Sequence, residues 1–518
     1  MHAMPSAADR VDSDDEPESA GIGGARRHLP RAYVGIGALT LACLAFYLYH
    51  AFADQAYYRT TGYDLGIFDQ AVRAYSHFQA PLVPLKGSDY NIFGDHFHPI
   101  IAVLAPLYWI WNDVGMLLIA QAVLTAAAVP VVYRFTRRRA SERMSLLIAA
   151  AFGFGWPIQG LIDFDFHEVA FATPLLALAI DALDRRDDRR LVLWCALLLL
   201  VREDMGLLVA LMGVIVLAQR RGQRRLAIGM IVIGAIVYWI TTSVIIPHFS
   251  AGHGFAYGNQ FGALGSSVGD AVANMLTHPW HAVRVFFTPA VKARTLAWLV
   301  LPFALLPLRS PYVVLVLPLF AERFFNSRHN LWYTTFHYNA LPWLILTMAM
   351  VDGAQRFGLF EAKRRSQLLR RGLAVVLVAV PVGLIFVGNR LQVVPVTSLR
   401  KPYSSQPAGW LTSAKAVVAY LPRNVCVAAD NHLVPHLTAK DWTTVAAAET
   451  PDPDFYAIDM FASDTGGNPP APTPEDVFLM TVQHGYTEVF APGSFIVMRS
   501  PHYAGPSSAC RPLGPGKP

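Results

Sequence analysis

Two short polar stretches stand out in an apolar chain. They are Gly62-Tyr63-Asp64-Leu65-Gly66-Ile67-Phe68-Asp69-Gln70 and Gly94-Asp95-His96-Phe97-His98-Pro99. Carboxylates next to imidazoles are the usual material of proton transfer, because both groups exchange protons near neutral pH once their surroundings are adjusted. Three further clusters share this character: Asp163-Phe164-Asp165-Phe166-His167-Glu168, Arg202-Glu203-Asp204, and His337-Tyr338 together with Arg323, Arg328 and His329.

Each cluster has a chemical reading and a plainer one. Asp64 opens an amphipathic segment over 64–78 in which Phe68, Val72 and Tyr75 recur at helical spacing. It is either a helix cap or a general base. Asp69 is four residues before Arg73 and reads as its helical partner. Asp95, His96 and His98 suit a base and a phosphate contact. With Asp64, Asp95 and His98 as ligands they suit a divalent cation, Mg²⁺ or Mn²⁺ rather than structural Zn²⁺. The plainer alternative is a solvated loop with His98 capping the segment that begins at Pro99. Asp165, His167 and Glu168 form an acidic rim, favourable in part for a helix N-terminus. Arg202, Glu203 and Asp204 either neutralise one another or serve a site. Arg328, His337 and Tyr338 offer a phosphate contact, or belong to a belt of headgroup-level aromatics with Trp332 and Tyr333.

The elements that must position these residues are membrane helices. Of 518 residues 54% are hydrophobic and 15% charged, with a mean hydropathy of +0.36, where soluble domains carry about 25% charge. Runs such as 33–53 and 226–246 reach the roughly 20 residues that cross hydrocarbon. The net charge of +6 comes from short Arg and Lys clusters between spans and does not indicate nucleic acid. Those clusters, at 134–143, 185–190, 220–225 and 356–371, mark the cytoplasmic side. Residues 1–31 read as a disordered cytoplasmic tail and carry no cleavable signal. Residues 32–388 read as the transmembrane domain, with roughly nine to eleven membrane helices and outer loops at 54–98, 248–288 and 326–339.

Within that domain 99–111 is too short to cross and reads as an interfacial helix entered at a proline. Residues 191–218 lie between two inside-type clusters and read as a hairpin of short helices, its tip at Arg202-Glu203-Asp204. Charges at that depth cost roughly 2.5–3.5 kcal/mol each and face a cavity or one another. The glycine-rich loop 248–288 reads as a mobile outer loop, and 373–387 as the last span. Residues 389–498 change composition and read as a small extracytoplasmic α/β domain. Its expected strands are 425–429, 456–458 and a pair within 488–497, with a helix over 474–485. Residues 499–518, rich in Pro and Gly, read as a flexible tail. Cys43 and Cys195 fall in spans; Cys426 and Cys510 fall in the outer domain, where a disulfide is one possibility.

There is no Walker motif, no GxGxxG and no His-Glu-x-x-His in the chain. ATP-driven transport, dehydrogenase and zinc-protease chemistry lack their usual signatures.

The first outer loop resembles that of the GT-C superfamily of membrane glycosyltransferases. Asp64 stands where that pattern has an Asp opening a juxtamembrane helix, with Phe68 at the aromatic position. Asp95-His96-Phe97-His98-Pro99 stands where a second element ends in His-Pro. The superfamily's Asp-Glu pair reads Asp64-Leu65 here, which leaves Asp69 or Asp95 as the second acid. Over most of 57–345 the chain resembles the DUF2079 family of uncharacterised bacterial membrane proteins. The stretches that carry this are Gly62 to Gln70, Gly94 to Pro99, Asp165-Phe166-His167-Glu168, Arg202-Glu203-Asp204 and His337-Tyr338.

The resemblance implies a GT-C-like α-helical polytopic protein of a bacterial cell membrane. Its partner would be a polyprenyl-phosphate carrier lipid presenting a sugar at the outer face. Asp64 would be the base, with Asp95, His96 and Glu168 positioning it or holding a metal. Arg202 and Arg328 would face the lipid phosphate, and His98, Asp165, His167, Glu203, Asp204, His337 and Tyr338 would line the substrate site. The competing class is a non-catalytic membrane protein that binds or transports a lipid or solute.

Overall fold

The computed structural model describes residues 31–250, 260–360, 372, 408–446, 452–463, 465–466 and 471–510. The expected tail at 1–31 (but for its last residue), the last span at 373–387 and the start of the outer domain lie outside the described residues.

Among the described residues four helical stretches are long and apolar enough to cross a membrane: Tyr33–Ala56, Gly115–Arg137, Glu142–Asp163 and Arg221–Phe249. The third bends at Gly153-Phe154-Gly155 before Pro157, where two glycines and a proline interrupt the helical ladder. Val169–Arg185 and Ala340–Arg356 are shorter and carry buried side chains almost all round, as helices at the centre of a bundle must. Leu41 and Tyr49 on the first helix and Trp239 on the fourth stay exposed, in keeping with lipid-facing positions.

One end of the bundle is fastened by the arginine cluster. Arg134 and Arg138 meet Asp181 at 2.7 and 2.6 Å, Arg138 meets Asp184 at 2.8 Å, and Tyr312 donates to Asp184 at 3.1 Å. The polar loops gather at the other end.

The hairpin expected at 191–218 is present as Asp188–Leu198 and Met205–Gln219, with Arg202, Glu203 and Asp204 at its tip. Its second arm crosses Arg224–Ile240 at a point where only glycine fits. A Cβ on Gly206 would lie 2.5 Å from Gly234 O, and one on Gly234 would lie 2.4 Å from Gly206 O. Small residues let apolar helices approach closely enough for dispersion to hold them, and this contact sets the depth of the tip.

Several local readings are revised. Pro99–Trp109 is 3-10 helix along its whole length, with Pro106 inside it. The glycine-rich loop carries two helices, Val268–Thr277 and Pro279–Phe287. Ser267 caps the first and Pro279 starts the second, signals that the glycine count obscured.

The C-terminal domain is a five-stranded mixed sheet, ordered β2-β1-β3-β5-β4. The strands are β1 Cys426–Ala429, β2 Trp442–Val445, β3 Phe455–Asp459, β4 Thr487–Phe490 and β5 Phe495–Arg499. β1 runs parallel to β2 and β3, while β5 is antiparallel to β3 and β4. The helix Pro474–Gln483 starts in a Thr473/Asp476 capping box. β2 and the helix Trp410–Tyr420 were not anticipated. Residues beyond Arg499 read as a loose tail, yet they are fastened as far as Cys510. Cys510 is disulfide-bonded to Cys426, the Ser507 amide donates to Asn424 O at 2.9 Å, and Tyr503 packs on Phe455.

Candidate functional site

Asp64 sits in a single π-helical turn, Gly62–Gly66, that leads into the helix Ile67–Ser76. Thr61 grips the turn from the bundle side. Its amide and hydroxyl donate to Asp165 Oδ2 at 2.9 and 3.2 Å. Asp165 has φ of 56°, a left-handed conformation that Asp tolerates better than most side chains. Gln121 holds the backbone of the same loop, taking the His167 amide on Oε1 at 2.8 Å and donating to Leu161 O at 2.7 Å.

Asp64 does not cap the helix, whose N-cap position is taken by Gly66. Its side chain is 29% exposed and lines a cavity of about 520 Å³. Asp69 is fully buried and bonded to Arg73 at 2.9 and 3.0 Å, with the Tyr108 hydroxyl donating to it at 2.7 Å. It is the structural partner that its spacing indicated.

Behind Asp64 lies an ordered relay. His167 Nε2 is 3.8 Å from Asp64 Oδ1, and His167 Nδ1 is bonded to Glu168 Oε2 at 2.5 Å. Glu168 is also 3.4 Å from Arg202 Nη1, and Arg202 clasps Asp204 through two bonds of 2.7 Å. The hairpin tip also reaches the second polar loop. Glu203 meets His96 Nδ1 at 2.7 Å and accepts from the Phe97 amide at 3.1 Å. Lys86 closes on Asp95. Asp64, Asp95, His96, His98, His167, Arg202, Glu203, Asp204, Arg328, His337 and Tyr338 all line the one cavity. Glu168 and Asp165 are buried outside its lining, Glu168 against His167 and Asp165 against Thr61.

The surroundings set the charges. Burial pushes Asp64 above the usual carboxylate range, opposed by His167 and Lys86. Burial works on Glu168 in the same sense, but His167 and Arg202 outweigh it and hold Glu168 well below that range. Burial would depress His96, yet the Glu203 carboxylate lifts it to about 9. His98 is pulled down to about 4 by burial, and burial lowers His337 as well. Both are neutral imidazoles at pH 7. His98 Nδ1 and both ring nitrogens of His337 have no hydrogen-bond partner among the described residues. His337 packs against His167 with ring centroids 3.9 Å apart and planes tilted by 40°, and Tyr338, pushed up to about 12 by burial, packs against His337 at 4.1 Å and 46°.

The expected metal set does not close. Among the described residues, the groups of three ligand atoms within 4.8 Å of one another are Cys426, Asp454 and Cys510, and His50, Asp54 and Asp163. Asp64, Asp95 and His98 are not such a group, and Asp95 is engaged by Lys86. The first group contains the disulfide, and Arg59 lies 3.4 Å from Asp54 and 3.8 Å from Asp163 in the second.

Two of the residues considered at the outset are used elsewhere. Arg323 spends its donors on Leu331 O, Asn339 Oδ1, Tyr333 O and Tyr338 O, and so braces the outer loop. His329 packs against Trp332 with planes tilted by 55° and faces a separate recess. Lys86 and Glu322 line the cavity and were missed. An acid inside an apolar helix is itself a signal of function; Glu322 was masked by its neighbour Arg323.

A family model described as predicted membrane protein (DUF2079) matches residues 57–466, which include every residue of the cavity named above. No curated protein matches the chain. The fold is similar to the crystal structure of ArnT from Cupriavidus metallidurans bound to undecaprenyl phosphate. The two are 13% identical with a TM-score of 0.52, over 92% of this chain and 99% of that one.

Proposed function

The chain belongs to the DUF2079 family of predicted membrane proteins, and on that premise we propose that it is a membrane glycosyltransferase using a polyprenyl-phosphate-linked sugar at the outer membrane face. The observation that carries this reading is Asp64, held on a gripped turn at the wall of a 520 Å³ cavity with the His167–Glu168 pair behind it. The similar ArnT structure holds undecaprenyl phosphate in the same fold, and we extend that ligand class to this cavity.

In the proposed reaction an acceptor hydroxyl attacks the anomeric carbon of the donor sugar. The bond from that carbon to the phosphate oxygen breaks, and its electron pair leaves with the polyprenyl phosphate. Asp64 takes the hydroxyl proton as general base. Burial makes its carboxylate a stronger base than a solvated one. A single displacement with one base inverts the anomeric centre. His167 stabilises the Asp64 carboxylate before the transfer, and Glu168 fixes the imidazole so that Nε2 faces Asp64. Lys86, Arg202 and Arg328 line the cavity and favour the phosphate of the leaving group. His98 and His337 offer neutral ring nitrogens to sugar hydroxyls.

The test is release of polyprenyl phosphate from a polyprenyl-phosphate sugar by the full chain in lipid nanodiscs. Wild type should turn over, and Asp64→Asn should lose about 10²–10⁴-fold while keeping its melting temperature. Equal turnover by the variant removes Asp64 from the role. Lipid binding without any release in wild type would instead favour the non-catalytic class.

A further inference from the structure

The turn that carries Asp64 is held by a residue from the other end of the chain. Asn431 follows β1 of the sheet domain. Its main-chain oxygen accepts from the Gly62 amide at 2.8 Å, and its side-chain Oδ1 accepts from the Tyr63 amide at 3.0 Å. These are the two amides immediately before Asp64. They open a helical turn and have no partner within it, so they must find one elsewhere.

The fit extends beyond the hydrogen bonds. A Cβ on Gly62 would lie 2.8 Å from Val434 Cγ1 and 3.1 Å from Asn431 Oδ1. Only glycine admits so close an approach of the sheet domain. Asn431 is itself fixed. Asp430 before it turns the chain, accepting from the His432 amide on Oδ1 at 2.9 Å and from the Leu433 amide on its carbonyl at 2.9 Å. With Asp165 holding Thr61, the turn is gripped from two sides. One side is a membrane-helix loop; the other is the loop at the carboxyl end of a parallel strand, where α/β sheets commonly place functional loops.

We propose that Asn431 is a positioning residue for Asp64, and that the sheet domain is a structural half of the membrane site. This rests on the reading of Asp64 as the base. Tyr63 has φ −91° and ψ 90°, outside the helical region, so the two peptides that lead into Tyr63 take their orientation from Asn431 rather than from a helix, and the Thr61 hydroxyl holds the Tyr63 carbonyl next to Asp64. A displacement of about 1 Å at a base costs on the order of 10²-fold in rate. Losing Asn431 does not undock the domain. Gln70 still donates to Thr443 O at 2.7 Å, Thr444 to Pro84 O at 3.3 Å, and Tyr58 stacks on His436 at 3.6 Å.

The experiment uses the full chain in nanodiscs with Asn431→Leu, which lacks the side-chain acceptor, and Asn431→Asp, which keeps it. In Asn431→Leu, hydrogen exchange of the peptide spanning 62–66 should rise by about tenfold or more. Its kcat for polyprenyl-phosphate release should fall by about tenfold or more with KM within about twofold. Asn431→Asp should restore slow exchange and most of kcat. Unchanged exchange in Asn431→Leu overturns the proposal, as does faster exchange with unchanged kcat. If wild type releases no polyprenyl phosphate, the glycosyltransferase reading fails separately. Carbodiimide labelling of Asp64 then decides the clamp. A labelling rate changed about threefold or more alongside faster exchange supports it, and an unchanged rate overturns it.

Discussion

Asp64 Oδ1 lies 3.8 Å from His167 Nε2, while the opposite nitrogen of that ring is bonded to Glu168. This carboxylate–imidazole–carboxylate line places a fully buried acid behind the proposed base. Glu168 therefore acts through His167, by fixing which nitrogen faces Asp64 and by stabilising positive charge on the ring.

Replacing Glu168 with Gln keeps the size of the side chain and removes its charge. The amide can leave the wrong His167 nitrogen protonated. We expect kcat for polyprenyl-phosphate release to fall by roughly 10²-fold with little change in KM. Arg202 loses one of its two acidic partners as well, so the melting temperature should be measured alongside. A variant with normal kcat would show that His167 needs no orienting partner.

The His96–Glu203 pair, at 2.7 Å, ties the second polar loop to the hairpin tip. His96 is lifted to about 9 in the folded protein, above an unfolded value of about 6.5. Its contribution to stability is therefore complete below about pH 6.5 and is lost as pH rises through about 9. The melting temperature of the full chain should fall between pH 6.5 and pH 9.5, with a contribution of up to about 3 kcal/mol from this pair. Glu203→Gln should be less stable at pH 6.5 and should lack that part of the pH dependence. An identical slope in the two proteins would assign the effect to other groups.

How much of this was legible in the sequence depends on the range of the interactions. Asp69–Arg73 and the hairpin at Arg202-Glu203-Asp204 follow from local spacing and from charge bracketing, and both are found where those rules put them. The clustering of Asp64, Asp95, His96 and His167 at one cavity follows from placing every polar loop on one side of a membrane. Asn431 gave no local signal. Its hydrogen bonds to Gly62 and Tyr63 span more than 360 residues, and an asparagine in a turn between strands is ordinary. Lys86 was likewise invisible, as one cation in a loop whose fold sets its partner. The two helices in the glycine-rich loop were obscured because the residues that start them, Ser267 and Pro279, also mark turns.

Lys86 provides the sharpest electrostatic test of the site. It lines the cavity with Asp64 and is closed on Asp95. Its charge lowers Asp64 against the upward push of burial, whereas Asp95 raises it. A general base must be ionised to act, so kcat/KM for polyprenyl-phosphate release should rise with pH as Asp64 loses its proton. Lys86→Gln removes the lowering influence and leaves the Asp95 charge unopposed. Both changes push Asp64 further up, so the ascending limb of the profile must move to higher pH. Lys86→Arg keeps the charge and should leave the limb near its wild-type position. A limb that stays in place in Lys86→Gln would mean that the ionisation governing the rate is not that of Asp64. A limb that moves to lower pH would exclude Asp64 equally, because loss of a neighbouring positive charge raises the pKa of a carboxyl and of an imidazolium alike.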